Sequence, residues 1–206
     1  MKKNQEVSGL SEADKTYLEM TDPAKPADGF LSRKEGGQRL NAYPPPDKGS
    51  GVTVATGVDL GQWSKKDLEK AGVPAPVIRK VSSYLGAKDA SARALLKQKP
   101  LELTKAEADS LDEAIAGDIF STVETKLKRE GITLAKLPPE AQTVVKSIAY
   151  NFGKNFDEKL PSFWKAITRR DWAKLQDLLM TTEWKQKSLK SRRLEEATLL
   201  DKLIKV

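Results

Sequence analysis

Residues 51–64 read Gly-Val-Thr-Val-Ala-Thr-Gly-Val-Asp-Leu-Gly-Gln-Trp-Ser, and across this stretch the chain changes character. Val52, Thr53, Val54 and Thr56 are β-branched. Such side chains suit a pleated surface, so residues 52–56 are expected to form a short strand in a small hairpin sheet. Upstream, residues 29–62 are rich in Gly and Pro. The run Pro44-Pro45-Pro46-Asp47-Lys48-Gly49-Ser50 is excluded from regular structure, because proline lacks an N–H and fixes φ. A short helix is expected over 29–35. Downstream of Ser64 the segments read as helix. Ser64 with Asp67, and Thr104 with Glu107, have the spacing of helix starts, the second as a capping box. Pro74 and Pro76 open a helix running to about Leu85, stopped by Gly86. Residues 106–129 read as one long amphipathic helix. Pro138-Pro139 opens a strongly apolar one that stops at Gly153, and Pro161, Asp171 and Ser188 mark three more starts. The pattern predicts an α+β, mainly α fold: a small β-hairpin lobe packed on a larger all-helical lobe, with a cleft between them. Residues 1–28 are polar, contain Pro23 and Pro26, and read as a tail or linker with one weak helix over 11–19. Residues 29–206 are then a single domain.

The composition narrows the chemistry. The 206 residues include no cysteine and no histidine. Disulfides, thiol nucleophiles, Ser-His-Asp triads, His-ligated zinc and imidazole acid–base catalysis are therefore excluded. Any catalysis falls to carboxylates, hydroxyls, Lys, Tyr or a hard metal. No Asp/Glu cluster has calcium-loop spacing, so no metal or other cofactor is expected. The 36 Lys and Arg against 29 Asp and Glu give a net charge of +7, which favours an anionic partner. No run approaches the roughly 18–20 apolar residues that span a bilayer, so no membrane insertion is expected. Lys2 and Lys3 are not followed by an apolar stretch, so synthesis without a secretory signal peptide is expected.

Two carboxylates and a hydroxyl lie close together in the front part of the chain. Glu35 precedes Gly36-Gly37, Thr53 lies in the expected strand, and Asp59 lies six residues beyond it. One protonated carboxyl can donate to a leaving oxygen while the other groups hold a water, an arrangement able to perform hydrolysis. Each residue also has a plainer explanation. Ser32-Arg33-Lys34-Glu35 matches a capping box, Asp59 sits in a Gly-bracketed turn where aspartate bonds the local backbone, and Thr53 suits any strand.

A resemblance adds to this reading. Glu35-Gly36-Gly37-Gln38-Arg39-Leu40-Asn41-Ala42-Tyr43, followed by residues 51–59, resembles the catalytic segment of the phage-type lysozyme and endolysin family, glycoside hydrolase family 24. The acid, threonine, aspartate order is similar to its pesticin-like branch. Phage members usually place an Asp before the strand and a His after its glycine, where this chain has Val58. Residues 139–153 resemble the family's core helix, which ends in an aromatic residue, Asn or Gln, and Gly. Ser188-Leu189-Lys190-Ser191-Arg192-Arg193-Leu194-Glu195-Glu196 resembles its Gly-Leu-x-x-Arg-Arg-x-x-Glu signature, with Ser188 in place of Gly and Trp184 just ahead.

The resemblance implies a muramidase that cuts the β-1,4 bond between N-acetylmuramic acid and N-acetylglucosamine in peptidoglycan, lysing bacteria. Glu35 would be the general acid. A free Glu, with a pKa of about 4.3, is protonated in about one molecule in 500 at pH 7, so its value must be raised by desolvation. Thr53 and Asp59 would hold the attacking water and invert the anomeric centre, with the two carboxyls roughly 6.5–9.5 Å apart. Asp47 is the rival to Asp59, and Thr56 the weaker alternative to Thr53. Tyr43 would line the cleft or act structurally. Asn151, Arg192 and Arg193 are the candidate partners of Glu35, the arginines alternatively forming a solvated helix face. The implied partners are peptidoglycan glycan strands and a cognate immunity protein or inhibitor, with the chain a monomer acting in the periplasm or cell wall. A lytic transglycosylase and a non-catalytic wall-binding module are the alternatives. Nucleic-acid binding through the basic end of the chain is disfavoured, because acids alternate with the positive charges.

Overall fold

Three short strands form one antiparallel sheet in sequence order: β1 (Arg39–Tyr43), β2 (Thr53–Ala55) and β3 (Val58–Asp59). The structure, a computed structural model, describes residues 37–45, 48–184 and 187–204, without the side chains of 187 and 188. The helices expected over 11–19 and 29–35, and the tail 1–28, lie outside the described residues. The helices are α1 (Lys65–Ala71), α2 (Ala75–Val81), α3 (Asp89–Gln98), α4 (Lys105–Arg129), α5 (Pro139–Phe152), α6 (Phe156–Lys159), α7 (Pro161–Thr168), α8 (Trp172–Thr181) and α9 (Lys187–Ile204). The fold is therefore α+β and mainly α. The described residues fall into two compact units, 37–122 and 123–204, the boundary lying within α4. No helix among them is long and apolar enough to cross a membrane.

The first unit contains the sheet. Thr53 pairs with Asp59 and Val54 with Val58, so the expected strand is the middle one and is buried at all three positions. β1 pairs with β2 through an irregular register, Arg39 opposite Ala55 and Tyr43 opposite Thr53. On its other edge Ala42 N donates to Leu101 O (2.9 Å) and Leu103 N to Leu40 O (2.9 Å). The turn from β2 to β3 places Ala55 at φ +54° and Gly57 at φ +77°. The left-handed region is free to glycine but costs an alanine roughly 1–2 kcal/mol, so other contacts must hold this turn. Downstream, both helix starts form reciprocal caps. Asp67 N bonds Ser64 Oγ (3.1 Å) while Ser64 N bonds the Asp67 carboxylate (3.1 Å). Glu107 N and Thr104 N make the same exchange at 3.2 and 2.8 Å. Each such cap contributes about 1 kcal/mol. The helix expected to reach Leu85 ends at Val81, and Ser82–Tyr84 continue as a tighter turn.

The second unit is helical. α5 buries Ala141, Val144, Val145, Ile148 and Ala149, and α9 packs along α8 and against α5. Fully burying a Val or Ile side chain stabilises by about 1.5–3 kcal/mol, which makes α5 the central element of this unit. Pro138 and Pro139 start it, and Gly153, at φ +84°, ends it. Trp184 closes the aromatic part of the core. Its indole N–H donates to Leu179 O (3.0 Å), and its ring meets Phe152 and, edge-on, Phe163 at centroid distances of 5.8 and 5.9 Å.

Candidate active site

Thr53 and Asp59 lie directly opposite each other on β2 and β3. Cross-strand partners share a face, with Cβ atoms about 4.5–5.5 Å apart, so the hydroxyl and the carboxylate are neighbours. Gly51 joins them. Its N–H donates to Asp59 Oδ1 (2.8 Å), and its carbonyl accepts a long bond from Thr53 Oγ1 (3.4 Å). Gly61 N also donates to Asp59 Oδ1 (2.9 Å), whereas Oδ2 accepts only from Gln62 Nε2 (3.2 Å) among the contacts described. Asp59 thus staples two backbone segments, the local role that its Gly-bracketed turn foreshadows. Glycine is required at both ends of the staple. A Cβ on Gly51 would lie 2.4 Å from Gly61 N and 2.6 Å from Ala87 O, and one on Gly61 would lie 2.7 Å from Ala87 O. Thr53 itself is 5 % exposed, and Asp59 Oδ2 lies at an exposed contact with Gln62.

The hairpin tip is held from α4. Thr56, almost fully buried, donates its N–H to Asp112 Oδ1 (3.0 Å) and its hydroxyl to Asp112 Oδ2 (2.8 Å). Gln38 Nε2 donates to Asp112 Oδ2 (2.8 Å) and to Asp109 Oδ1 (2.9 Å). Burial raises the Asp112 pKa against these hydrogen bonds. Burial also pushes Asp109 upward, but hydrogen bonds from Lys105 and Gln38 outweigh it and hold that carboxyl below its ordinary value. Thr56 therefore has a partner that differs from that of Thr53. Asp112 is absent from the expected site residues, although the sequence signals it: it is a charge on the apolar stripe Ala108, Leu111, Ile115, Ile119 of α4.

The remaining expected residues are scattered. Glu35 and Asp47 lie outside the described residues. Tyr43 ends β1 half-buried, with the Arg39 guanidinium 4.7 Å from its ring centroid. Asn151 is exposed on α5. Arg192 and Arg193 do not form a solvated face, because both are buried. Arg192 Nε bonds Ser147 Oγ (3.0 Å), its Nη2 bonds Ser147 O (3.1 Å), and Arg193 Nη2 pairs with Glu196 Oε1 (3.0 Å). Arg193 also stacks near Phe152 and Trp184, at 5.6 and 5.5 Å. The Ser147 hydroxyl donates to Glu196, which is fully buried. Desolvation raises the Glu196 pKa against the opposing pull of Arg193 and Arg192. This ionic cluster lies wholly within the second unit. Ser147 and Glu196 were not among the expected site residues, though the three- and four-residue spacing from the arginines to Glu196 on one helix signals a pairing.

Residues 27–173 match the family described as "Pesticin: Bacterial toxin homologue of phage lysozyme, C-term". Comparison with curated proteins gave no match.

Proposed function

The chain belongs to the pesticin family of bacterial toxins homologous to phage lysozyme, a lysozyme-like family acting on peptidoglycan, and we propose that it is an inverting N-acetylmuramidase. In this reading it cleaves the β-1,4 bond between N-acetylmuramic acid and N-acetylglucosamine, and so lyses bacteria from the periplasm or wall. The observation that carries the reading is the facing pair of Thr53 and Asp59, which share Gly51. A hydroxyl and a carboxylate on one face suit the holding of a nucleophilic water, while Glu35 donates the proton to the leaving oxygen. A carboxylate pinned through Oδ1 to two backbone N–H groups is poorly placed to advance on a sugar carbon as a nucleophile, which favours water attack and inversion.

The charge distribution supports a wall substrate. Residues 123–206 hold 18 Lys and Arg against 11 Asp and Glu, a surplus of +7, whereas residues 1–122 hold 18 of each. The whole positive excess therefore belongs to residues 123–206, where it attracts an anionic polymer.

The decisive experiment treats isolated sacculi with the wild-type chain and with Glu35→Gln. Wild type is expected to release fragments with reducing ends by mass spectrometry, and Glu35→Gln to release none at an unchanged melting temperature. Fragments with 1,6-anhydro ends would identify a lytic transglycosylase instead. Binding of sacculi without any release would identify a wall-binding module.

A further inference from the structure

We propose that Asp112 is the positioning residue of this site, tying the hairpin that carries Thr53 and Asp59, and the segment that follows Glu35, to a single point on α4. The proposal rests on the roles given above to those three residues.

Asp112 is only 1 % exposed and accepts three hydrogen bonds: from Thr56 N (3.0 Å), Thr56 Oγ1 (2.8 Å) and Gln38 Nε2 (2.8 Å). Two of them fix the turn between β2 and β3. That turn cannot hold itself, because Ala55 is in the left-handed region, a conformation that persists only where the surroundings impose it. The third fixes Gln38, which stands three residues after Glu35 and one before β1. The same Gln38 amide nitrogen reaches Asp109 (2.9 Å), one turn earlier on α4, so the segment is held at two points of one helix face. Lys105 balances that second carboxylate at 2.5 Å. An apolar residue would fit the Ala108, Leu111, Ile115 stripe without the cost of burying a carboxylate. What the carboxylate adds is a fixed link between two chain segments 18 residues apart, Gln38 and Thr56. These are the segments that must be held in register for an acid and a water to flank one glycosidic bond. A misplacement of about 1 Å in such a pair costs about 100-fold in rate.

The test measures kcat and KM for release of reducing ends, per mole of folded chain and well below the melting temperature. It also follows hydrogen exchange of the Thr56 amide. Asp112→Asn keeps one acceptor oxygen but sets an amide N–H₂ against the remaining donors. It is expected to lower kcat by about 100-fold with KM within about twofold, and to accelerate Thr56 exchange. Thr56→Val, which loses only the hydroxyl, is expected to lower kcat in the same sense, and Thr56→Ser, which keeps it, to restore most of the rate. If Asp112→Asn does not fold, Thr56→Val and Gln38→Leu decide the matter alone. Wild-type kcat in a folded Asp112→Asn or Thr56→Val chain, or equal losses in Thr56→Val and Thr56→Ser, would overturn the positioning role while leaving the muramidase reading intact. A wild-type chain that releases no reducing ends would overturn the muramidase reading first, and the positioning role with it.

Discussion

Asp59 carries two roles, one seen as backbone hydrogen bonds and one proposed as chemistry, and a pair of substitutions separates them. Asp59→Ala leaves Gly51 N and Gly61 N without their acceptor, and both glycines are buried. Each orphaned donor costs about 1–2 kcal/mol, so the loss is about 2–4 kcal/mol. For a chain of this length that lowers the melting temperature by roughly 5–15 °C. Asp59→Asn retains a carbonyl oxygen where Oδ1 stands and so preserves both bonds. Among the described residues its amide N–H₂ meets only Gln62 Nε2, at an exposed contact of 3.2 Å that water can replace. The expected cost is under about 1 kcal/mol, or a few degrees. The asparagine cannot take a proton from water, however, so the rate of reducing-end release should fall by about 10²–10⁴. Thermal unfolding by circular dichroism and sacculus digestion on the same preparations give both numbers. A stable Asp59→Asn chain with wild-type turnover would refute the proposed chemistry and leave Asp59 as a staple only. An Asp59→Asn chain as unstable as Asp59→Ala would refute the structural account.

Gly51→Ala should destabilise by about 1–3 kcal/mol and reduce activity, because its methyl lies 2.4–2.6 Å from the backbone of Gly61 and Ala87; unchanged unfolding would mean the strands are not so closely apposed. Glu196→Leu should cost about 3–5 kcal/mol in denaturant titration, since it strips Arg192 and Arg193 of their buried counter-charge, whereas loss of under 1 kcal/mol would show the arginines to be solvated. Burial raises the Asp112 pKa, so folding takes up a proton above the ordinary aspartate value of about 3.9, and this group's contribution to stability falls as pH rises through that window. Relative to Asp112→Asn, the wild-type melting temperature should therefore gain on acidification from pH 7 into the window, and a gap constant with pH would contradict the assignment. Arg169 and Arg170 are exposed, and among the described residues neither has an ion-pair partner. Replacing both by Gln should weaken sedimentation with sacculi and flatten its salt dependence; an unaltered salt slope would place the wall-binding charge elsewhere.

What was legible in the sequence is what is decided locally. The caps at Ser64 and Thr104, the proline that opens α5 and the glycine that ends it are each fixed by neighbours within four residues. The hairpin was legible too, because the β-branched residues Val52, Thr53, Val54 and Thr56 run into a glycine turn at Gly57. β1 was not, since its strand character comes from bonds to residues 101–103 and to β2, far along the chain. α3 escaped for a different reason. Its first residue, Asp89, does not cap its own helix but takes the N–H of Gly49 at 2.7 Å, and only Ala92 of its length is buried. In the site, the six-residue interval between Thr53 and Asp59 already fits opposite positions on a hairpin. The Ser147 partner of Arg192, unlike Glu196, could not be inferred in the same way, because it lies 45 residues upstream on another helix.

The absence of histidine has a structural consequence. In enzymes that use imidazole, a second hydrogen bond through the other ring nitrogen sets the orientation of the base. A carboxylate has no such second handle, only two equivalent oxygens, so its orientation must come from donors that saturate one of them. Here those donors are the N–H groups of Gly51 and Gly61, brought together by a backbone approach that a single Cβ would prevent. The orientation of Asp59 therefore depends on the glycines rather than on any neighbouring acid or base, and the position of the hairpin depends on Asp112. It follows that the most sensitive positions of the proposed catalyst, after the reacting groups themselves, are two glycines and one buried aspartate that need not touch the sugar. A substitution scan scored for rate per folded molecule would contradict this argument if Gly51, Gly61 and Asp112 proved no more sensitive than exposed α3 positions such as Lys97.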